Sequence, residues 1–438
     1  MRARVRVVLL CGLTTTAFAA DALPDDADVI RSAFEAAVTH LHAGQPREAL
    51  EALATVEQRE PDNPWLGFYR GLAQSRLGNA YEAIASFDGA LDTLAALGDP
   101  EPALADSIAW HRREARRQVF SLSYQAGLAY DTNVSFVGDA AVGLGLVSGR
   151  SDSKVGSTFG LHYAPLATED HALSLAARVG HSWHCEVDEF NYQDYGAGLR
   201  YARRVAERWE ASLAYDYDMT LLGNESFLSV HALRPGVAYN WPVGTGRAWL
   251  DRTGVYYEFA ARDFLYPTTR LFERDGVVNA VGVEQRFAFR PLAESPRTGD
   301  ATLGYRYESV STEGTEFDRN VHMFYAAFAL PVLNPWRPAE YLLLPDKELV
   351  FRFNVSWEAD RYREHSLLDR YRRKRSDLIT TYAWQLSQRL FEHPGYGDII
   401  LHALVHWTDA NSDLMTKQGA APFHYDKLVY GVQLEWAW

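Results

Sequence analysis

Between residues 119 and 438, charged side chains fall on the polar positions of stretches that otherwise alternate with apolar residues. They are Arg178, Asp216, Asp218, Glu258, Arg262, Glu284, Arg286, Arg306, Glu308, Arg352, Glu358, Arg389 and Glu435. On a strand, a period of two puts such residues on one face. If the sheet closed on itself, they would line its lumen. Charges facing water in a pore screen one another and select polar solutes. Both signs occur in near balance, so the same residues could instead pair and fill the interior. The sequence leaves both readings open.

Other groups with chemical potential are less specific. Arg361, Arg363, Arg370, Arg372, Arg373, Lys374 and Arg375 crowd one connection. On an outer face they could bind the phosphates of lipopolysaccharide or another anionic polymer, or simply be solvated. His181, His184, Cys185 and Asp188 are metal-capable, but Trp183 intervenes and no Cys-x-x-Cys pairing occurs. His402 and His406 share one strand face and read as lumen-lining residues. Ser and His are present without a Gly-x-Ser-x-Gly elbow. We therefore expect no catalytic residue, metal or cofactor. A formal charge of −14 argues against nucleic acid as a partner, since phosphate binding needs a basic face.

The elements that would position these residues are strands. Tyr124, Ala126, Leu128 and Tyr130 alternate with Ser123, Gln125, Gly127 and Ala129; Leu428, Tyr430, Val432, Leu434, Trp436 and Trp438 alternate with Val429, Gly431, Gln433, Glu435 and Ala437. Fourteen such segments are centred near residues 124, 159, 177, 197, 214, 233, 255, 283, 305, 325, 354, 382, 402 and 431. The one near Tyr325 is apolar on both faces, and Asn279 and Gln285 interrupt another. Long strands with apolar-out, polar-in alternation, together with 24 Tyr and 12 Trp, fit a transmembrane antiparallel barrel rather than a soluble sandwich. Tyr430, Trp436 and Trp438 would serve as its aromatic membrane-insertion signal. Short turns at 167–170, 205–207, 242–246 and 392–397 would face the periplasm. The longer Val332–Pro345 connection could fold under or into the mouth.

Residues 20–117 read differently, as Ala-, Leu- and Glu-rich helices. Gly44 aligns with Gly78, Ala49 with Ala83, Leu53 with Phe87 and Val56 with Ala90, each pair 34 residues apart. Glycine at the turn and alanine at the helix crossing, at that period, is the tetratricopeptide pattern. Arg2, Arg4 and Arg6, the apolar run to Leu13, and Ala17-Phe18-Ala19 form an export signal cut after Ala19. Cys185 then remains as a single cysteine, so no internal disulfide is expected. The expected fold class is α + β in two domains: a signal peptide at 1–19, a short all-α tetratricopeptide-like solenoid at 20–117 in the periplasm, and an outer-membrane β-barrel of about fourteen strands at 118–438.

The run Ser121-Leu122-Ser123-Tyr124-Gln125-Ala126-Gly127-Leu128-Ala129-Tyr130-Asp131-Thr132-Asn133-Val134 is a first strand ending in Tyr-Asp-x-Asn-Val. Later come Arg375-Ser376-Asp377-Leu378, Leu386-Ser387-Gln388-Arg389-Leu390-Phe391, Ala410-Asn411-Ser412 and Tyr425-Asp426-Lys427. In that order the segments resemble the surface lipoprotein assembly modifier barrels. The resemblance implies periplasmic tetratricopeptide repeats, a fourteen-strand barrel, and movement of lipoproteins to the cell surface. Exopolysaccharide export porins share the architecture, usually with many more repeats. The expectation is thus an outer-membrane translocation or export protein, with a periplasmic client that is a lipoprotein or a polysaccharide, and with membrane lipids and lipopolysaccharide around it. A barrel enzyme or plain structural anchor is the alternative from another class.

Overall fold

The computed structural model describes residues 24–97, 102–134, 151–242, 248–265, 273–289, 299–332, 349–367, 369, 371–393, 396–415 and 423–438. The expected export signal at residues 1–19 and the 333–345 part of the long connection lie outside the described residues. Among the described residues, five helices precede fourteen strands. The helices are α1 (Pro24–His42), α2 (Pro46–Glu57), α3 (Pro64–Leu77), α4 (Ala80–Ala96) and α5 (Pro102–Val119).

Local chemistry sets their ends. Proline opens α2 and α3, where its missing N–H would have had no partner anyway. The Asn63 side chain caps α3 by accepting from the Trp65 N–H at 3.0 Å. Gly44 and Gly78, 34 residues apart, take positive φ of 74° and 85° in the α1–α2 and α3–α4 turns. A Cβ would strain that backbone. Ala49 and Ala83 are fully buried where the helices cross. Two apolar clusters result, one around Ala49, Leu53 and Val56, the other around Phe87, Ala90 and Ile108. Among the described residues, no helix is long and apolar enough to cross a membrane.

The strands are β1 (Phe120–Asp131), β2 (Asp152–Ala167), β3 (His171–His184), β4 (Tyr192–Ala206), β5 (Trp209–Leu222), β6 (Glu225–Asn240), β7 (Ala248–Phe264), β8 (Gly276–Phe289), β9 (Gly299–Thr312), β10 (Arg319–Val332), β11 (Leu349–His365), β12 (Lys374–His393), β13 (Gly397–Ser412) and β14 (Tyr425–Ala437). Each pairs antiparallel with its sequence neighbour, and β1 pairs with β14, so the sheet is a closed barrel. Closure leaves no unpaired edge, as lipid demands. At the seam Ser123 faces Ala437 and Asp131 faces Val429, while Leu122 and Trp438 exchange both backbone hydrogen bonds at 2.9 Å.

The outside is apolar. Tyr124, Leu128, Trp209, Leu213, Val432, Leu434 and Trp436 are all exposed, the reverse of a water-soluble sheet. The two irregular segments have local explanations. The Tyr325 hydroxyl points inward and donates to Glu284, and outward-facing Asn279 accepts from the Tyr257 hydroxyl. A polar atom on the wrong face is tolerated where a tyrosine reaches it.

Helix α5 runs directly into β1, so the helical stack hangs beneath one mouth of the barrel. It is held there at two turns. Tyr81 donates to the Ala164 carbonyl at 2.8 Å, and Arg47 and Asn79 bond Glu169 in the β2–β3 turn. Across the rim, Arg113 pairs with Glu392 and Arg117 reaches Asp398 at 3.1 Å, both flanking the β12–β13 turn.

Candidate functional site

The strand register puts all thirteen charged candidates on the inner face. The chain of facing pairs runs through Asp218–Val230–Arg262, Ala280–Glu308–Val321–Asp360 and Arg352–Gln385, with Ile400 facing Glu435. Most are engaged. Arg178 contacts Asp194 at 2.6 Å and Asp218 at 3.2 Å. Glu258 takes Arg234 at 2.8 Å and Arg306 at 2.7 Å, and Arg306 also pairs with Glu308. Arg286 lies 3.2 Å from Asp251, and Arg389 lies 3.4 Å from Asp398. The interior is a lattice of ion pairs, favouring the filled interior over a bare charged pore.

Many of their partners lie beyond the thirteen candidates: Asp131, Lys154, Asp194, Arg200, Glu210, Arg234, Arg252, Arg319, Asp360, Arg375, Asp377 and Lys427 also face inward and pair. They share the same parity, which is the signal that could have found them. Asp131, fully buried, holds Lys154 at 3.1 Å and Lys427 at 2.9 Å, bridging the inside of the seam.

The lattice is uneven. On β3–β8, Arg178, Arg200 and Arg286 have side chains about half exposed (54%, 51% and 54%). On the opposite wall, Arg306, Arg375 and His402 fall to 14%, 8% and 4%. A cavity of about 680 Å³ occupies the open side toward the helical mouth, under Arg200, Asp216, Arg252, Glu284 and Arg286. One step farther along the strands, inward-facing Ala232, Ala260, Val278, Val310 and Val321 form a dry patch. A second cavity of about 280 Å³ lies beyond it, toward the end of the barrel away from the helices.

The weaker motifs resolve individually. His181 stacks on Trp183 with ring centroids 5.0 Å apart, whereas His184, three residues on, lies on the other face of β3. That parity separates them as ligands. In the basic stretch, Arg363 bonds Ser309 and Asn320, and Arg375 turns inward to Asp377 at 2.9 Å. Arg373 bonds Asp369, and this holds the Asp369 carboxyl below the ordinary carboxylate range, although burial opposes it.

One arrangement has the outline of a hydrolytic triad. Ser387 Oγ is 2.8 Å from His402 Nδ1, and His402 Nε2 is 2.8 Å from Glu435. Yet Ser387 Oγ also accepts from Arg352 at 3.0 Å and Gln385 at 3.1 Å, and Ser387 and His402 are buried. A saturated, buried hydroxyl is a cross-link rather than a nucleophile, because nucleophilic attack needs a lone pair aimed at an accessible carbonyl.

On the lipid-facing wall, a shallow apolar groove of about 640 Å³ runs over β11–β14 and β1, past Phe351, Trp384, Val405, Leu128, Tyr430 and Val432.

No family model matches this chain, and no curated protein matches it. Solved structures do. CdiB from Acinetobacter baumannii aligns at 8% identity and TM-score 0.34 over 72% of this chain, which spans 60% of that protein's length. A bacterial polysaccharide outer membrane secretin aligns at 10% identity and TM-score 0.34, covering 73% of this chain and 98% of that one. OccAB3 of Acinetobacter baumannii aligns at 8% identity and TM-score 0.36, covering 73% and 99%.

Proposed function

We propose that this chain is an outer-membrane export protein whose tetratricopeptide-like helices receive a client in the periplasm and pass it to the barrel, with surface lipoproteins as the client class. The observation that carries this reading is the clamp. Ion pairs at two separate turns fix the helical stack to the rim, beside the mouth of the 680 Å³ cavity. A helical stack that only decorated the barrel would need no such two-point attachment. The cross-linked interior argues against free passage of a folded chain through the lumen. The apolar groove on the outer wall supports a route alongside it, since its lining suits an acyl chain.

Deletion of the gene is expected to remove a specific lipoprotein from the cell surface, read by surface proteolysis and antibody staining of intact cells. Restoring the gene as Arg113→Ala/Arg117→Ala should restore barrel insertion but not display. Unchanged display of every surface lipoprotein in the deletion strain would sink the proposal.

A polysaccharide export porin is the second reading, favoured by the wet, polar cavity under Arg200, Asp216 and Glu284. Under that reading, deletion removes a surface glycan and leaves lipoproteins in place.

A further inference from the structure

The 280 Å³ cavity at the far end of the barrel contains two guanidinium groups that the ion-pair lattice does not use. Arg262 and Arg274 both line it, and neither has a hydrogen bond or carboxylate within ion-pair distance among the described residues. Their neighbours are already committed. Arg319 lies 2.9 Å from Asp360, and Arg375 bonds Asp377 at 2.9 Å. Of four arginines and three carboxylates around the cavity, these two pairs leave Arg262 and Arg274 against Glu358 alone, a surplus of one positive charge.

An arginine keeps its proton in proteins, so half-buried Arg262 and exposed Arg274, both lining the cavity without a carboxylate partner among the described residues, present two positive charges to whatever enters it. The other walls are aromatic. Arg274 sits 4.4 Å from the Phe317 ring centre, and Arg375 sits 3.4 Å from that of Phe423 and 4.5 Å from that of Tyr362.

We propose that this cavity binds a carboxylated sugar, a hexuronate unit, with its carboxylate on Arg262 and Arg274 and its ring against Phe317 and Phe423. A guanidinium fork matches a carboxylate bidentately. Flat aromatic faces bury the apolar face of a pyranose. The volume is near the lower end of the ~300–1,000 Å³ usual for ligand pockets, which holds one ring rather than a chain. Because the cavity faces the end opposite the helices, its ligand reaches it from outside, and the site does not depend on which client the helices receive.

The full chain, purified in detergent and checked for barrel closure by its heat-modifiable gel migration, is titrated calorimetrically with sodium glucuronate, glucose and inorganic phosphate at low salt. Saturable glucuronate binding is expected, at least tenfold tighter than phosphate, with none for glucose. Arg262→Gln and Arg274→Gln should each weaken glucuronate at least tenfold. Arg274→Lys, which keeps the charge and loses the fork, should also weaken it and serves if the glutamine forms fail to close. Phe317→Ala should weaken glucuronate and leave phosphate unchanged. Phosphate binding as tight as glucuronate, and indifferent to Phe317→Ala, overturns the sugar assignment. Absence of glucuronate binding, or binding untouched by the arginine substitutions, overturns the site.

Discussion

Asp398 is 1% exposed and is reached by Arg117 from α5 and by Arg389 from its own wall, so this carboxylate is one of the links between the helices and the barrel. Removing one partner of a buried pair strands the other, which costs about 3–5 kcal/mol. Arg117→Ala is therefore expected to loosen α5 from the rim, seen as faster hydrogen exchange through α5 and the β12–β13 turn, while Arg117→Ala/Asp398→Asn recovers part of the protection. Equal exchange in wild type and single mutant would show that the pair holds nothing. His111 behaves differently. It packs against Phe68 and Phe87, and burial, with the Arg76 charge, pushes its pKa down to about 4. The folded state then binds its proton less readily than the unfolded chain. The stability this gives is complete above the unfolded value near 6.5 and is lost as pH falls from there toward 4. Allowing for solvent screening, the change is about 2 kcal/mol. Helical circular dichroism melts should fall across pH 6.5 to 4 in the wild type and stay flatter in His111→Gln.

At the scale of elements, the seam between β1 and β14 is where closure is decided. Gly127 and Gly431 sit on it at close quarters: a Cβ at either would come within 2.3 Å of the carbonyl oxygen of Val432 or Leu128. Gly127→Val should thus block the last pairing and abolish the heat-modifiable closed form, whereas Leu128→Val, on the lipid face, should leave it intact. Normal closure of Gly127→Val would contradict the register. In the helical stack, Gly78→Ala puts a Cβ at φ 85° and should lower stability by roughly 1 kcal/mol, measurable as a small drop in melting temperature.

For the whole molecule, the barrel is divided: a wet half toward the helices, a dry patch of Ala and Val, and a cationic cavity beyond. An interior so cross-linked should conduct ions weakly. In planar bilayers the wild type is expected to show far lower conductance than an open porin of similar strand number. Arg306→Ala, which cuts the link between Glu258 and Glu308, should raise it. Conductance indifferent to Arg306 would place the constriction elsewhere along the axis.

The alternation of Leu428 to Trp438, and the parity shared by Arg178, Glu258 and Glu435, made the strands and their inner face legible. Strand periodicity is a local property, dictated by the pleat and by lipid on one side. The 34-residue offsets were legible for a similar reason, since a helix crossing demands Ala and a turn demands Gly at set positions. What the sequence could not show is which charges meet. Arg306 touching Glu258, or Arg117 touching Asp398, depends on how far each strand is staggered against the next around the closed sheet. Nor could parity alone reveal that Arg262 and Arg274 are left over when the other charges pair. The sequence by itself determined that polar and charged residues face inward and apolar ones outward, because each strand carries that pattern within itself. Only the tertiary structure decided which of those inner charges cancel and which stand free, because pairing across a barrel is set by register and closure, which no single strand encodes.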